Sequence, residues 1–181
     1  MTDATAGTPA ATRTAVVVVV SAASAAVDQH RAQLDRAASW GVPPHVTVLY
    51  PFVPPAEIDD GDVARLRAAA RSLPAFDVTF ARTAWFDEDV VYLAPEPAEP
   101  FRRLTRAVHE AFPLYPPYGG EFDDLAPHLT VGQLGTVDQR RAAEAAVQRH
   151  LPLTTRVDHL TLLAGSDAPM SWRVLHELPL A

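Results

Sequence analysis

The chain contains no cysteine, which removes thiol nucleophiles, disulfides and cysteine-bound zinc together. Lysine is missing as well: all 15 basic residues are arginines. A lysyl-adenylate ligase, a Schiff-base enzyme and a P-loop each need a lysine amine, so all three are excluded. No asparagine is present either, and with it goes any Asn-x-Ser/Thr glycosylation acceptor. Positive charge is scarce, with 15 arginines against 22 Asp and Glu for a net charge of −7. Extended nucleic acid is held through neutralised phosphates, so an acidic chain argues against gripping long RNA or DNA. A small phosphorylated ligand, met by a few local donors, stays open.

Long apolar runs are also lacking. Nothing approaches the roughly 20 residues a membrane-spanning helix needs, so no membrane role is expected. Arg13 followed by Val16–Val20 and Ser21-Ala22-Ala23 has the outline of a signal-peptide core. Consecutive β-branched residues favour a buried strand instead, and Asp3 with one basic residue makes a poor leading segment. The expectation is a disordered tail over residues 1–14 and a single domain over 15–181, in a cytoplasmic monomer. At 181 residues, 48% of them hydrophobic, the chain can bury a core of ordinary size.

Helical and alternating patterns follow one another along the chain. Val16–Val20 reads as a strand, and Ser24 or Asp28 could cap a helix running to about Ala38 before the Gly41–Pro44 breaker. His45–Phe52 reads as a strand, and Asp59-Asp60 open a helix that ends before Pro74. Phe76–Phe80 and Val90–Leu93 form a hairpin across Asp87-Glu88-Asp89. A helix over Pro97–Phe112 leads into a loop, Pro113–Gly120, whose Gly119-Gly120 could hinge a lid. Ala126–Leu134 is a strand, Asp138 caps a helix to about His150, and strands Arg156–Ala164 and Trp172–Leu178 close the chain. Strand, helix and strand pair thus occur twice. This predicts an α+β, bilobed architecture of two pseudo-symmetric lobes, each with an antiparallel sheet and helices, the sheets lining a central cleft.

The repeat carries a sequence likeness. Pro44-His45-Val46-Thr47-Val48 and Pro127-His128-Leu129-Thr130-Val131 match at four of five positions. On a strand the histidine and threonine share one face while the apolar residues pack on the other. Leaving that polar pair buried and unpaired would cost roughly 1–3 kcal/mol per group, so it needs water, a ligand or a partner. About half of one His-x-Thr triplet is expected by chance, and three occur. The third, His159-Leu160-Thr161, has Asp158 in place of the proline and is read as the chance occurrence.

These two segments, with Tyr50-Pro51-Phe52 and the strand at Trp172, resemble the two-histidine phosphoesterase superfamily. The likeness is to its bacterial 2′-5′ RNA ligase and cyclic phosphodiesterase branch, and it covers most of the chain from about residue 15. It implies a bilobed α+β body, catalytic roles for His45 and His128, and phosphate binding by Thr47 and Thr130. Many relatives carry a basic residue after the second motif; here Gly132-Gln133-Leu134 stands there, which weakens the case for longer RNA.

The chemistry holds without the likeness. Opening a 2′,3′-cyclic phosphate needs a base for the attacking water and an acid for the leaving ribose oxygen. Histidine, with a pKa near 6.5, can serve as either. Two hydroxyls can steady the phosphate oxygens with no metal or other cofactor. The expected partner is a small phosphorylated substrate, a nucleotide cyclic phosphate or short RNA end, with Tyr50, Tyr115 and Tyr118 as candidates to stack a base. Trp40, Trp85 and Trp172 read as packing, and His30, His109, His150 and His176 as surface or helix-end residues. Three rivals are weaker. A zinc site through His45 and His128 lacks a His-Glu-x-x-His cluster, and Gly165-Ser166-Asp167 lacks a nucleophile elbow. A non-catalytic module binding a phosphonucleotide or RNA end would be better served by arginine than by two imidazoles.

Overall fold

The computed structural model describes residues 10–120 and 126–181. Its strands are β1 (Arg13–Val19), β2 (His45–Leu49), β3 (Phe76–Phe86), β4 (Val90–Glu96), β5 (Leu129–Gly132), β6 (Leu153–Val157), β7 (His159–Gly165) and β8 (Arg173–Pro179). The helices are α1 (Ser24–Leu34), α2 (Arg36–Ser39), α3 (Asp60–Arg71), α4 (Glu99–Ala111) and α5 (Val137–Val147). Among the described residues the strands form two four-stranded antiparallel sheets, ordered β2-β1-β7-β8 and β5-β4-β3-β6. The expected α+β, two-sheet architecture is therefore present. None of the described helices is long and apolar enough to cross a membrane. Of the tail expected over residues 1–14, residues 1–9 lie outside the described residues. Arg13 and Thr14 do not belong to a tail, since β1 pairs them with Gly165 and Ala164 of β7.

The two motif strands are the edge strands that meet at the junction of the sheets, with β2 against β5. The pairing differs from a simple tandem repeat, because the strand pair following each motif lies in the other motif's sheet. The hairpin β3–β4 joins β5, and β7–β8 joins β1 and β2. One expected strand over 156–164 is in fact two, broken at Asp158, where the chain passes from the second sheet to the first. The helices cross as well: α1 and α5 pack behind β5, while α4 packs on β2 and α3 on β8. Alternation explains why. Val16, Val18, Val46 and Val48 of the first sheet and Leu93, Leu129 and Val131 of the second all turn away from the cleft, at most 2% exposed, into one continuous core. Phe101, Leu104 and Val108 of α4 recur at helical spacing and enter the same core.

Helix ends follow local chemistry in part. Asp59 caps α3 and exchanges a capping box with Asp62. At α5 the cap is Thr136, boxed with Gln139, and not Asp138 as expected. Neither Ser24 nor Asp28 caps α1; a 3-10 turn over Ser21–Ala23 leads straight into it. The helix expected to reach Ala38 breaks at Asp35, whose backbone is extended and whose side chain caps α2 by accepting from Ala37 N.

Candidate active site

Val46 and Val48 are buried, and their alternate neighbours His45 and Thr47 are half-buried at the cleft. Leu129 and Val131 are buried on β5, with His128 and Thr130 half-buried in the same manner. The proline in each motif has a local consequence. It fixes its own φ and holds the preceding residue extended, which presents that residue's carbonyl to the following imidazole. His45 Nδ1 donates to Pro43 O at 2.8 Å, and His128 Nδ1 donates to Ala126 O at 2.9 Å. A carbonyl only accepts, so Nδ1 carries the proton in both rings. The lone pair of each neutral imidazole is then on Nε2.

Burial pushes His45 down to about 4, helped by the charge of Arg31 and by His128, against the Pro43 carbonyl and Asp35. His128 is lowered too, again chiefly by burial, with the Ala126 carbonyl and Asp35 opposing. Both imidazoles are thus neutral near pH 7. The His128 ring stands edge-on to Phe86 and Tyr92, at 5.0 and 5.5 Å between centroids, and this pair holds its orientation.

A cleft of about 480 Å³ opens beside His45 and Thr47. Its floor is Ala15 and Val17 of β1, and Tyr50, Trp40 and Trp172 form aromatic walls. Arg36, Gln133 and Leu134 also border it. On the other side of Thr47 lies a small recess lined by Tyr118, Thr105, Ala126 and His128. Tyr118 is hydrogen-bonded through its hydroxyl to Thr47, and burial pushes its phenol up. Its backbone N donates to Tyr50 O at 2.6 Å. The tyrosine candidates therefore separate. Tyr50 and Tyr118 border the site, whereas Tyr115 packs on Phe52 at 6.0 Å and lines neither space.

Trp40 and Trp172, expected as packing, do pack but also wall the cleft. Trp172 is 9% exposed and its indole N–H donates to Ser166 O at 2.9 Å. Arg36, a basic residue at the cleft that the sequence did not single out, comes from a segment with no motif. The third His-x-Thr copy lies nearer than expected. Val17 pairs with Thr47 on one side and Thr161 on the other, so both threonines share the cleft face of one sheet. Its imidazole is held differently: His159 Nδ1 bonds the Asp158 carboxylate at 2.6 Å, in the open.

A family model for the 2′-5′ RNA ligase superfamily matches residues 19–168. The "Putative phosphoesterase" of Staphylococcus aureus strain JH1 is 30% identical over 169 residues, covering 86% of this chain and 91% of the relative. The chain belongs to the 2′-5′ RNA ligase superfamily of two-histidine phosphoesterases. The fold is shared with solved structures of Escherichia coli LigT. In complex with NADP+ that protein aligns at TM-score 0.56 and 18% identity, over 96% of this chain and 99% of LigT. In complex with 3′-AMP it aligns at TM-score 0.55 and 16% identity, over 95% and 99%. The protein TT0787 of Thermus thermophilus aligns at TM-score 0.56 and 18% identity, over 92% and 97%.

Proposed function

We propose that this protein is a metal-independent phosphodiesterase acting on a 2′,3′-cyclic phosphate, of a nucleotide or an RNA end, or on a 2′-5′ linkage. The observation that carries the reading is the matched pair of imidazoles, each with Nδ1 tied to a carbonyl, on the two strands that meet where the sheets join. One Nε2 takes a proton from water as its oxygen bonds to phosphorus. The other, protonated once the anionic substrate has raised its affinity for a proton, delivers that proton to the departing ribose oxygen. His45, pushed down to about 4 with the charge of Arg31 acting against its protonated form, suits the base; His128 suits the acid. Thr47 and Thr130 hydrogen-bond the phosphate oxygens, joined by Tyr118. The aromatic cleft at Tyr50, Trp40 and Trp172 takes the nucleoside, and its size favours a mononucleotide or a chain end over internal RNA. Sealing would be the reverse of 2′-5′ cleavage, since the chain has no lysine to carry an adenylate.

The test is turnover of the four nucleoside 2′,3′-cyclic phosphates in excess chelator. Each proton transfer contributes typically ~10²–10⁴-fold, so His45→Ala and His128→Ala should each lose at least that, and His159→Ala should not. The kcat/KM profile should be bell-shaped, with one limb near pH 4 and the other below about 6.5, because both free-enzyme histidines are depressed. Binding of every cyclic phosphate and 2′-5′ dinucleotide without turnover would replace the enzyme with a binding module. Loss of activity in chelator would end the metal-free reading.

A further inference from the structure

Behind His45 lies an ion pair that the reaction as proposed does not use. Arg31 is 2% exposed and Asp35 3%, at the break between α1 and α2. Burying two charges is unfavourable unless their remaining hydrogen-bonding capacity is met, and here the carboxylate is fully engaged. Asp35 Oδ2 accepts from Arg31 Nε at 2.9 Å. Its Oδ1 accepts from Ala37 N at 3.0 Å and from Gln133 Nε2 at 2.9 Å.

The two sides of this cluster reach the two motif strands. On one side Arg31 Nη2 donates to Val42 O at 3.1 Å. The next residue, Pro43, supplies the carbonyl that fixes the His45 ring. On the other side Gln133 follows directly on β5, the strand that carries Thr130. Its backbone N and that of Leu134 both donate to Leu34 O, at 2.7 and 2.9 Å. Gly132 lets β5 come this close, since a Cβ there would meet Leu34 Cβ at 2.9 Å. We propose that Asp35, held by Arg31 and Gln133, is the positioning residue that registers the two histidine strands against one another. It touches neither substrate nor the reacting atoms; it acts through Pro43 on one side and β5 on the other.

The charges act in the same place. The Asp35 carboxylate favours the protonated form of both His45 and His128, and Arg31 disfavours it at His45. The other ionisable groups around the site are Arg36 of α2, Tyr50 with Arg13 on it, Tyr118 on Thr47, and Tyr92 against the His128 ring. None of them links the two strands.

The inference deepens the proposed phosphodiesterase, so its test has an arm that needs no turnover. Gln133→Leu removes the exposed partner and leaves the buried pair intact. The double change Arg31→Met with Asp35→Leu replaces the pair by apolar residues, which folds tolerate better than one uncompensated charge. Imidazole nitrogen NMR would follow tautomer and titration midpoint for His45 and His128. The double variant should shift the His128 midpoint down and turn the His45 ring into a tautomer mixture. Gln133→Leu should lower kcat on cyclic phosphates on the order of tenfold through misplacement, beyond any change in KM that its place at the cleft border brings. Gln133→Arg, which returns a donor to Asp35, should restore it. Folded variants with wild-type tautomers, midpoints and kcat would overturn the proposal. If wild type turns over no cyclic phosphate, the phosphodiesterase reading fails alone and the NMR arm still decides this one.

Discussion

Each motif imidazole depends on the residue before it. In Pro44-His45 and Pro127-His128 the proline presets the backbone, and the carbonyl two residues upstream of each histidine takes the Nδ1 proton. At His159 the preceding residue is Asp158, and its carboxylate takes that place. So the same triplet gives a half-buried ring committed to one tautomer in two places and a carboxylate-paired ring in the open in the third. Depression of His45 to about 4 also ties stability to pH. Unfolded, His45 titrates near 6.5, so between about pH 6.5 and 4 the unfolded chain binds the extra proton. The stability involved is present above about pH 6.5 and is lost as pH falls toward 4. His128 acts in the same direction. Melting temperature followed from pH 7 to 4 should therefore fall more steeply for wild type than for His45→Gln. Equal slopes would rule out the burial effect.

Among the elements, β5 is closely constrained, since it needs Gly132 for its approach to α1. Gly132→Ala would drive a methyl group into Leu34, and overpacking of this kind costs roughly 1–3 kcal/mol. Chemical denaturation should show a loss of that size. Activity should fall further than in a surface variant of equal stability, because the displaced strand carries Thr130. Much of this level was legible in the sequence. The motif strands, the Asp59 start of α3 and the turn at Asp87–Asp89 all rest on neighbours within a few residues. What was not legible rests on distant partners. The break at Asp35 is stabilised by Gln133, 98 positions away. The break at Asp158 marks a change of sheet that no local pattern announces. Trp40 and Trp172 have the composition of core residues, and only the fold shows that their outer faces wall a cleft.

For the whole molecule, the crossing of helices between sheets decides how it comes apart. Each motif strand is backed by a helix whose flanking strands belong to the other sheet, α1 on β5 and α4 on β2. The larger cluster of buried residues draws on both sheets. Unfolding should accordingly be a single transition, with far-ultraviolet circular dichroism and tryptophan fluorescence coincident. Separate midpoints for the two sheets would refute it. A body laced in this way holds the separation of the histidines as part of its framework, and the chemistry does not have to wait for two halves to close.

The strand order also sets a timetable for synthesis. The second sheet, β3 to β6, is continuous in the chain, so it can zip up as soon as residue 157 has left the ribosome. In the first sheet β1 and β2 are made before any strand of the second, yet β7, which pairs with β1, follows only at His159–Gly165. Until then the valine-rich strand β1 has one open edge, the kind of surface that recruits other chains. Until β7 emerges, the nascent protein therefore carries His45 and Thr47 on a two-stranded ribbon. Its cleft is complete only when the final hairpin closes beside them.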